Sequence, residues 1–312
     1  MKMRVVRAVQ HGPDIKELHL AASNGAPLLP WSAGAHIAVE LQLDEDRTVT
    51  RHYSLLGSSE DGTYRIAVLR DPSGRGGSAF VHEHVGTGDE LEASEPRNEF
   101  PLVPSHGHHI LLAGGIGITP IMAMARQLQT RGLPFDLHYL VRSHDRAAFA
   151  DELESLAGTK FHLHLGPLPA GTINQLIGPF LPGSALYACG PSGLLQAATA
   201  SATGLGWPWE ALHFESFGSR RGPNDQALTV ELAQSNMTVV VAPGESILEK
   251  MLAAGAFVPF SCGRGECGSC FTSVLQGRPI HRDVCLSAQQ RAIGMCPCVS
   301  WAEPGASLIL DV

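Results

Sequence analysis

The chain has 312 residues, 44% hydrophobic and 17% charged. At roughly 100–200 residues per domain, that length and composition exclude both a single small module and an extended disordered chain. Lys and Arg total 22 against 30 Asp and Glu, a formal charge of −8, so the basic footprint of a nucleic-acid binder is missing.

The opening residues, MKMRVVRAVQHGPDIKEL, contain no apolar run of the secretory type. The only candidate membrane run, Ile110 to Ala125, is interrupted by Gly114, Gly115, Gly117 and Pro120 and is too short for a hydrocarbon core about 30 Å thick. A cytoplasmic protein that contacts neither membrane nor nucleic acid is expected. The 34 glycines and 21 prolines imply many tight turns.

The first hundred residues alternate short β-branched runs (Arg4 to Val9, His36 to Leu43, Arg51 to Leu55, Tyr64 to Arg70) with turn signals, the pattern of an antiparallel β-barrel or sandwich. Asp44, Glu45 and Asp46 read as a hairpin tip. Past Pro101 the pattern changes to strand (His109 to Ala113), glycine turn, helix (Pro120 to Thr130) and strand (Phe135 to Val141), which predicts a parallel α/β unit. A helix over Arg146 to Ala157, a strand over Ala185 to Cys189 and a helix over Ser192 to Thr203 extend it to about Phe217. His106, His108 and His109 are expected in a solvated turn, and Trp207-Pro208-Trp209 in a helix-to-strand connection. Residues 219–226 are polar and turn-rich, as a linker would be. After them come a hairpin (Leu228 to Leu232, Met237 to Val241), a short helix (Ser246 to Ala254) and a cysteine-rich loop.

Six of the seven cysteines lie from Cys262 to Cys298. Cys262, Cys267 and Cys270 are spaced Cx4CxxC and a further cysteine follows near the tail, the plant-type [2Fe-2S] pattern of four thiolates. Gly263, Gly265 and Gly268 let the backbone wrap closely and aim amides at sulfur, and Phe260 and Phe271 are candidates to shield the site. A structural zinc is the alternative, but zinc modules repeat CxxC or pair it with histidines, and neither occurs here. Cys296 and Cys298 compete for the fourth position, and spacing does not separate them. Cys189 and Cys285 are expected to be packed thiols.

Gly114, Gly115 and Gly117 join a strand to a helix that Thr119 is expected to cap and Pro120 to open, so a pyrophosphate is expected at the helix N-terminus. The motif reads GxGxxP and departs from the GxGxxG fingerprint. The second strand ends at Val141, Arg142 and Ser143 with no acidic residue positioned for a ribose 2′-OH, and Arg142 suits a 2′-phosphate, which leaves NADH and NADPH both open. Cys189-Gly190-Pro191 forms a similar strand-to-helix turn. In the first domain Arg51 and Tyr53 share a strand face while Ser54 points the other way, a set suited to the phosphate, ring plane and polar edge of a flavin. Arg75, Gly76, Gly77 and Ser78 precede a helix and offer a second phosphate cradle. A flavin also supplies what the other two sites require, because NAD(P)H gives up two electrons together and a [2Fe-2S] centre takes one.

With these sites in this order, the chain resembles the phthalate dioxygenase reductase family, which includes the vanillate demethylase reductases, over nearly its full length. Arg51-His52-Tyr53-Ser54 is similar to the family's RxYS flavin motif, Gly74 to Ser78 to its GRGGS turn, and residues 96–101 to its domain-junction motif. Gly114 to Pro120 resembles GGIGITP. Cys189-Gly190-Pro191 resembles the CGP element near the nicotinamide, and residues 214–217 resemble FExF, where an aromatic residue shields the flavin beside a carboxylate. The resemblance implies FMN rather than FAD, NADH, and Cys298 as fourth ligand through its CysValSer, with His281-Arg282-Asp283 as a further signature. Cys285 and Cys296 depart from the family pattern.

The implied architecture is multidomain: an FMN-binding antiparallel β-barrel (1–103), a parallel α/β NAD(P)H domain (104–218), a linker (219–227) and an α+β, β-grasp [2Fe-2S] ferredoxin domain (228–312). Ser54, Glu215 and Phe217, with Phe214 as rival to Phe217, are the implied catalytic residues. The implied function is that of a monomeric reductase passing electrons from NADH through FMN and the cluster to a Rieske non-haem iron oxygenase. A reductase for another protein acceptor and a flavin/iron–sulfur redox sensor are the alternatives.

Overall fold

In the computed structural model, alternating apolar residues of the first hundred positions build seven antiparallel strands: β1 (Lys2–His11), β2 (Ile15–Ala22), β3 (Ala35–Gln42), β4 (Thr48–Ser54), β5 (Tyr64–Leu69), β6 (Glu90–Ala93) and β7 (Arg97–Asn98). Helix α1 (Gly77–His84) lies between β5 and β6. The order across the sheet is β4-β3-β6-β1-β2-β5, with β7 on β3. Beyond β4, the Leu56 N–H donates to the Arg65 carbonyl at 3.0 Å, so the two ends of the sheet meet. Val5, Leu18, Ile37, Leu41, Ile66 and Val68 fill its interior.

The next stretch forms β8 (His109–Gly114), α2 (Ile118–Thr130), β9 (Phe135–Val141), α3 (Ala150–Ala157), β10 (Phe161–Leu165), α4 (Thr172–Ile177), β11 (Ala185–Gly190), α5 (Ser192–Gly204) and β12 (Leu212–Ser216). Its sheet runs β10-β9-β8-β11-β12, and β10, β9, β8 and β11 pair in parallel. Every residue of β8 and β11 is buried, as central parallel strands covered on both faces must be. Strand order reverses between β8 and β11, which makes their carboxyl ends the switch point where nucleotides bind in such sheets.

The structure describes residues 1–72, 74, 76–217, 222 and 224–312; Arg75 and much of the expected linker lie outside them. Residues 1–190 with 197–215 form one compact unit, and 191–196 with 216–312 a second.

In the second unit, β13 (Leu228–Leu232), β14 (Met237–Val241), α6 (Ile247–Ala253), β15 (Thr272–Gln276), β16 (Pro279–Ile280), α7 (Ala288–Ile293), β17 (Gly294–Met295), β18 (Trp301–Ala302) and β19 (Leu308–Leu310) follow in order. The main sheet is β14-β13-β19-β15-β17, and β16 pairs with β18. Strand β13 is antiparallel to β14 but parallel to β19. Ile247, Leu248 and Met251 of α6 pack on Val230, Leu232, Val241 and Leu310, giving the α+β layer expected of a ferredoxin domain. Ser246 caps α6 by accepting from the Glu249 N–H at 3.4 Å. Among the described residues no helix is long and apolar enough to cross a membrane.

Three local expectations are corrected. Thr119 does not cap α2: a tight turn at Gly115–Gly117 winds straight into the helix, Gly117 holds the cap position, and the Thr119 hydroxyl inside the first turn donates to the Ile116 carbonyl at 3.0 Å. The helix expected over Arg146 to Ala157 starts only at Ala150, because Phe149 takes a left-handed backbone (φ 64°) that seats its buried ring 4.4 Å from that of His11. His109 is buried rather than solvated, with its ring stacked along Tyr187, and burial lowers its pKa; of the three histidines only His106 is exposed. Trp207 is buried in its connection, donating from Nε1 to the Gly178 carbonyl at 2.9 Å.

Candidate redox sites

The pleat of β4 turns Arg51 and Tyr53 to one side, and Ser54 is buried at the strand end. The Ser54 hydroxyl is buried without a hydrogen-bond partner, an arrangement that costs about 1–3 kcal/mol unless a ligand satisfies it. Burial pushes the Tyr53 hydroxyl up to about 12 against the pull of Arg51, so this ring stays neutral. Arg51 lies along the start of α1: a Cβ on Gly77 would fall 3.1 Å from its Nε. Arg47, which the motif reading passed over, approaches the same turn, 3.5 Å from where a Gly76 Cβ would stand. Two guanidinium groups beside a helix N-terminus suit a phosphate. The Ser78 hydroxyl accepts from the Asp71 N–H at 3.0 Å and anchors the turn. His52 is exposed, with its ring 5.3 Å from that of His36. An unsatisfied buried hydroxyl, a half-buried aromatic ring and this cradle fit a flavin mononucleotide.

At the carboxyl ends of β8 and β11, two turns touch backbone to backbone. A Cβ on Gly117 would lie 2.2 Å from the Cys189 carbonyl oxygen, and one on Gly190 would lie 3.0 Å from the Gly114 Cα. Only glycine permits that approach, which leaves the amides at the start of α2 open to a pyrophosphate. Gly115, Gly117, Thr119, Pro120, Cys189 and Gly190 therefore gather at the switch point. Arg142 is exposed just past β9, and Pro191 is exposed just before α5. Glu215 is buried in β12, whereas Phe217, 40% exposed, follows that strand. Phe214 is half-buried, 6.2 Å from Trp209. Ser54 and Glu215 belong to the first unit and Phe217 to the second.

In the second unit the loop after α6 gathers the thiols. Cys270 and Cys298 Sγ are 3.2 Å apart, and the Arg264 N–H donates to Cys262 Sγ at 3.4 Å. The Ser269 hydroxyl donates to Cys267 Sγ at 3.1 Å. Gly265 adopts φ 75°, and a Cβ there would meet the Val299 side chain at 2.5 Å, so the loop folds against the turn carrying Cys298 only because this residue is glycine. The thiol of Cys296, then that of Cys298, lowers Cys270 to about 3, and both are themselves pushed up. Cys270 thus lies between the two rivals for fourth ligand. Cys270 and Cys298 form a close sulfur pair, and the sulfurs of Cys262 and Cys267 on the same loop accept from the Arg264 N–H and the Ser269 hydroxyl, a donor set whose chemistry fits an iron–sulfur cluster. Phe271 packs against this core and against Gly294, but Phe260 is 53% exposed.

A flavin-type antiparallel sheet, a nucleotide-type parallel sheet and a thiolate loop in one polypeptide define a pyridine-nucleotide-dependent flavin/iron–sulfur oxidoreductase. Comparison with known proteins agrees. Residues 230–303 match the 2Fe-2S iron-sulfur cluster binding domain family. The chain is 39% identical over 314 residues to the heme-dependent oxidative N-demethylase beta subunit of Ectopseudomonas mendocina (strain ymp), covering 100% of this chain and 99% of that protein. It is 38% identical over 320 residues to phthalate dioxygenase reductase of Burkholderia cepacia, covering 100% and 97%. The solved structure of a phthalate dioxygenase reductase, described as modular for electron transfer from pyridine nucleotides to [2Fe-2S], superposes with a TM-score of 0.71 at 36% identity, covering 100% of this chain and 98% of that one. The chain belongs to the phthalate dioxygenase reductase family. It is an electron-transfer reductase with a [2Fe-2S] cluster binding domain.

Proposed function

We propose that this chain acts as a monomer and passes its electrons to a Rieske non-haem iron oxygenase. The observation that carries the reading is the thiolate loop in a unit of its own, with Cys267 exposed, which suits delivery to a separate protein. When bound, FMN divides a two-electron hydride donation into single electrons, which the cluster accepts one at a time.

The chain's residues take the following roles. Arg51, with Gly76, Gly77 and Ser78 at the start of α1, holds the flavin phosphate, and Arg47 joins them. His52 contributes the strand backbone beside it, Tyr53 packs on the ring system and the Ser54 hydroxyl meets its polar edge. Gly115, Gly117, Thr119 and Pro120 bind the nucleotide pyrophosphate, Arg142 lies toward the ribose, and Cys189-Gly190-Pro191 borders the nicotinamide. Glu215 contributes a carboxyl near the flavin, and Phe217 shields the ring. Cys262, Cys267, Cys270 and Cys298 ligate iron.

A haem-containing acceptor is the second reading, favoured by the relative named a heme-dependent oxidative N-demethylase subunit. Anaerobic mixing of the holoprotein with NADH and either a purified Rieske oxygenase or a purified haem demethylase component distinguishes the two. Reduction of the Rieske centre alone supports the proposal, and reduction of the haem alone replaces it with the second reading. Cys267→Ser is expected to leave flavin bleaching intact and to abolish delivery to either acceptor.

A further inference from the structure

The two cysteines that the cluster pattern leaves over touch each other. Cys285 and Cys296 Sγ are 3.8 Å apart, van der Waals contact for two sulfurs; Cys285 is half-buried and Cys296 has no exposed surface. Both are held from behind. Cys285 follows Val284, whose N–H donates to the Gly265 carbonyl at 2.9 Å, and Asp283, fully buried, whose carboxylate accepts from the Leu286 N–H at 3.2 Å and from the Arg291 guanidinium at 3.1 Å. Cys285 Sγ also abuts Gly268 of the cluster loop, 3.6 Å from where a Cβ would stand. The Cys296 carbonyl accepts from the Val299 and Ser300 N–H groups at 3.2 and 3.0 Å, which fixes the turn leading into Cys298. The two segments are joined through α7.

We propose that Cys285 and Cys296 are a peroxide-sensitive dithiol that closes to a disulfide beside the cluster. The Cys285 sulfur, the accessible one, attacks a peroxide oxygen; the O–O bond breaks, one water leaves with the thiol's proton, and Cys285 becomes a sulfenic acid. The Cys296 sulfur then attacks Cys285, the S–O bond breaks and a second water leaves. Overall two thiols are oxidised by two electrons and one hydrogen peroxide is reduced to two waters. Sulfurs already in contact reach the bond length of about 2.05 Å with little movement of the chain. By the ligand assignment proposed above, on which this inference rests, Cys262, Cys267, Cys270 and Cys298 are committed to iron in the loaded protein; Cys189 is fully buried in the other unit. The bond would fasten the loop against Gly268 to the turn carrying the fourth ligand, and a dithiol reductant would reopen it at the half-buried Cys285, the more accessible of the two.

The test uses the full-length holoprotein under nitrogen, treated with equimolar hydrogen peroxide, blocked with an alkylating agent and cut with trypsin. Arg291 lies between the two cysteines, so the peptides stay joined only through sulfur, and fragmentation at Pro297 separates Cys296 from Cys298. The expected result is a Cys285–Cys296 cross-linked peptide, reversed by dithiothreitol, with the cluster's visible absorption retained. Cys285→Ser should abolish the cross-link and, without peroxide, should reduce a one-electron dye at the wild-type rate. Recovery of Cys285 as sulfinic acid or in alkylated form, or its linkage to Cys270 or Cys298 with bleaching of the cluster, overturns the proposal.

Discussion

Replacing Arg65 with Met tests how the first unit is held together. The Arg65 side chain, 12% exposed, donates from Nε to Glu17 at 2.7 Å and from both terminal nitrogens to Glu152 of α3 at 3.0 Å, so one guanidinium ties β5 and β2 to the parallel-sheet layer. Arg126 adds a second donor to Glu152 at 2.9 Å. Burial by itself would raise the Glu17 carboxyl, but hydrogen bonding from His11 and the charge of Arg65 outweigh it and hold the group at about 2. Methionine keeps the apolar stem and strands Glu17, which is 3% exposed, beside His11 and His19 only. Breaking such a pair from one side costs about 3–5 kcal/mol. For a unit of this size, that lowers Tm by about 6–20 °C at pH 7. Because the folded pKa is depressed, the stability Glu17 contributes is complete above about pH 4.5 and is lost as pH falls toward 2. The gap between wild type and variant must therefore narrow on acidification, and adding Glu17→Gln must restore part of the loss at pH 7. Thermal unfolding followed by calorimetry at several pH values measures both effects. A variant whose Tm stays within about 2 °C of wild type at pH 7, or a gap that widens with acid, refutes the reasoning.

Three further outcomes are expected. Cys298→Ser should purify without the visible absorption of the cluster while Cys296→Ser retains it; the reverse pattern would move the fourth ligand to Cys296. Gly117→Ala drives a methyl into the Cys189 carbonyl, which should cost about 1–3 kcal/mol of stability and raise the KM for NADH on the order of tenfold, as steady-state kinetics and thermal melts would read. Burial, then His162 and His164, lowers His138 to about 4. Its folded pKa lies below its unfolded value, so wild-type stability is complete above about pH 6.5 and declines toward pH 4 by on the order of 3 kcal/mol. His138→Gln should flatten that decline in pH-dependent denaturant melts, and an unchanged slope would exclude His138 as its source.

Two strands that the sequence did not disclose, β2 and β10, carry charged or polar residues within their apolar pattern. In β2, Lys16, Glu17 and His19 break the apolar rhythm, yet Glu17 is buried because His11, His19 and Arg65 converge on it. Strand β10, with His162 and His164, is hidden in the same way by histidines that lie beside His138 of β9. Where apolar alternation was clean, as in β13 and β14, the expected and observed strands agree to the residue. Arg47 escaped notice because only folding brings the end of the β3–β4 hairpin to the start of α1.

What the sequence determined by itself is the chemistry set by covalent spacing: Cx4CxxC, the glycine turns and the RxYS strand are local, and neighbours along the chain must remain neighbours in space. What only the tertiary structure decided depends on residues far apart in sequence. It leaves the Ser54 hydroxyl unsatisfied, presses Gly117 against Cys189, and brings Cys285 and Cys296 into contact. Those arrangements follow from burial and packing of whole sheets, which no short window of sequence encodes.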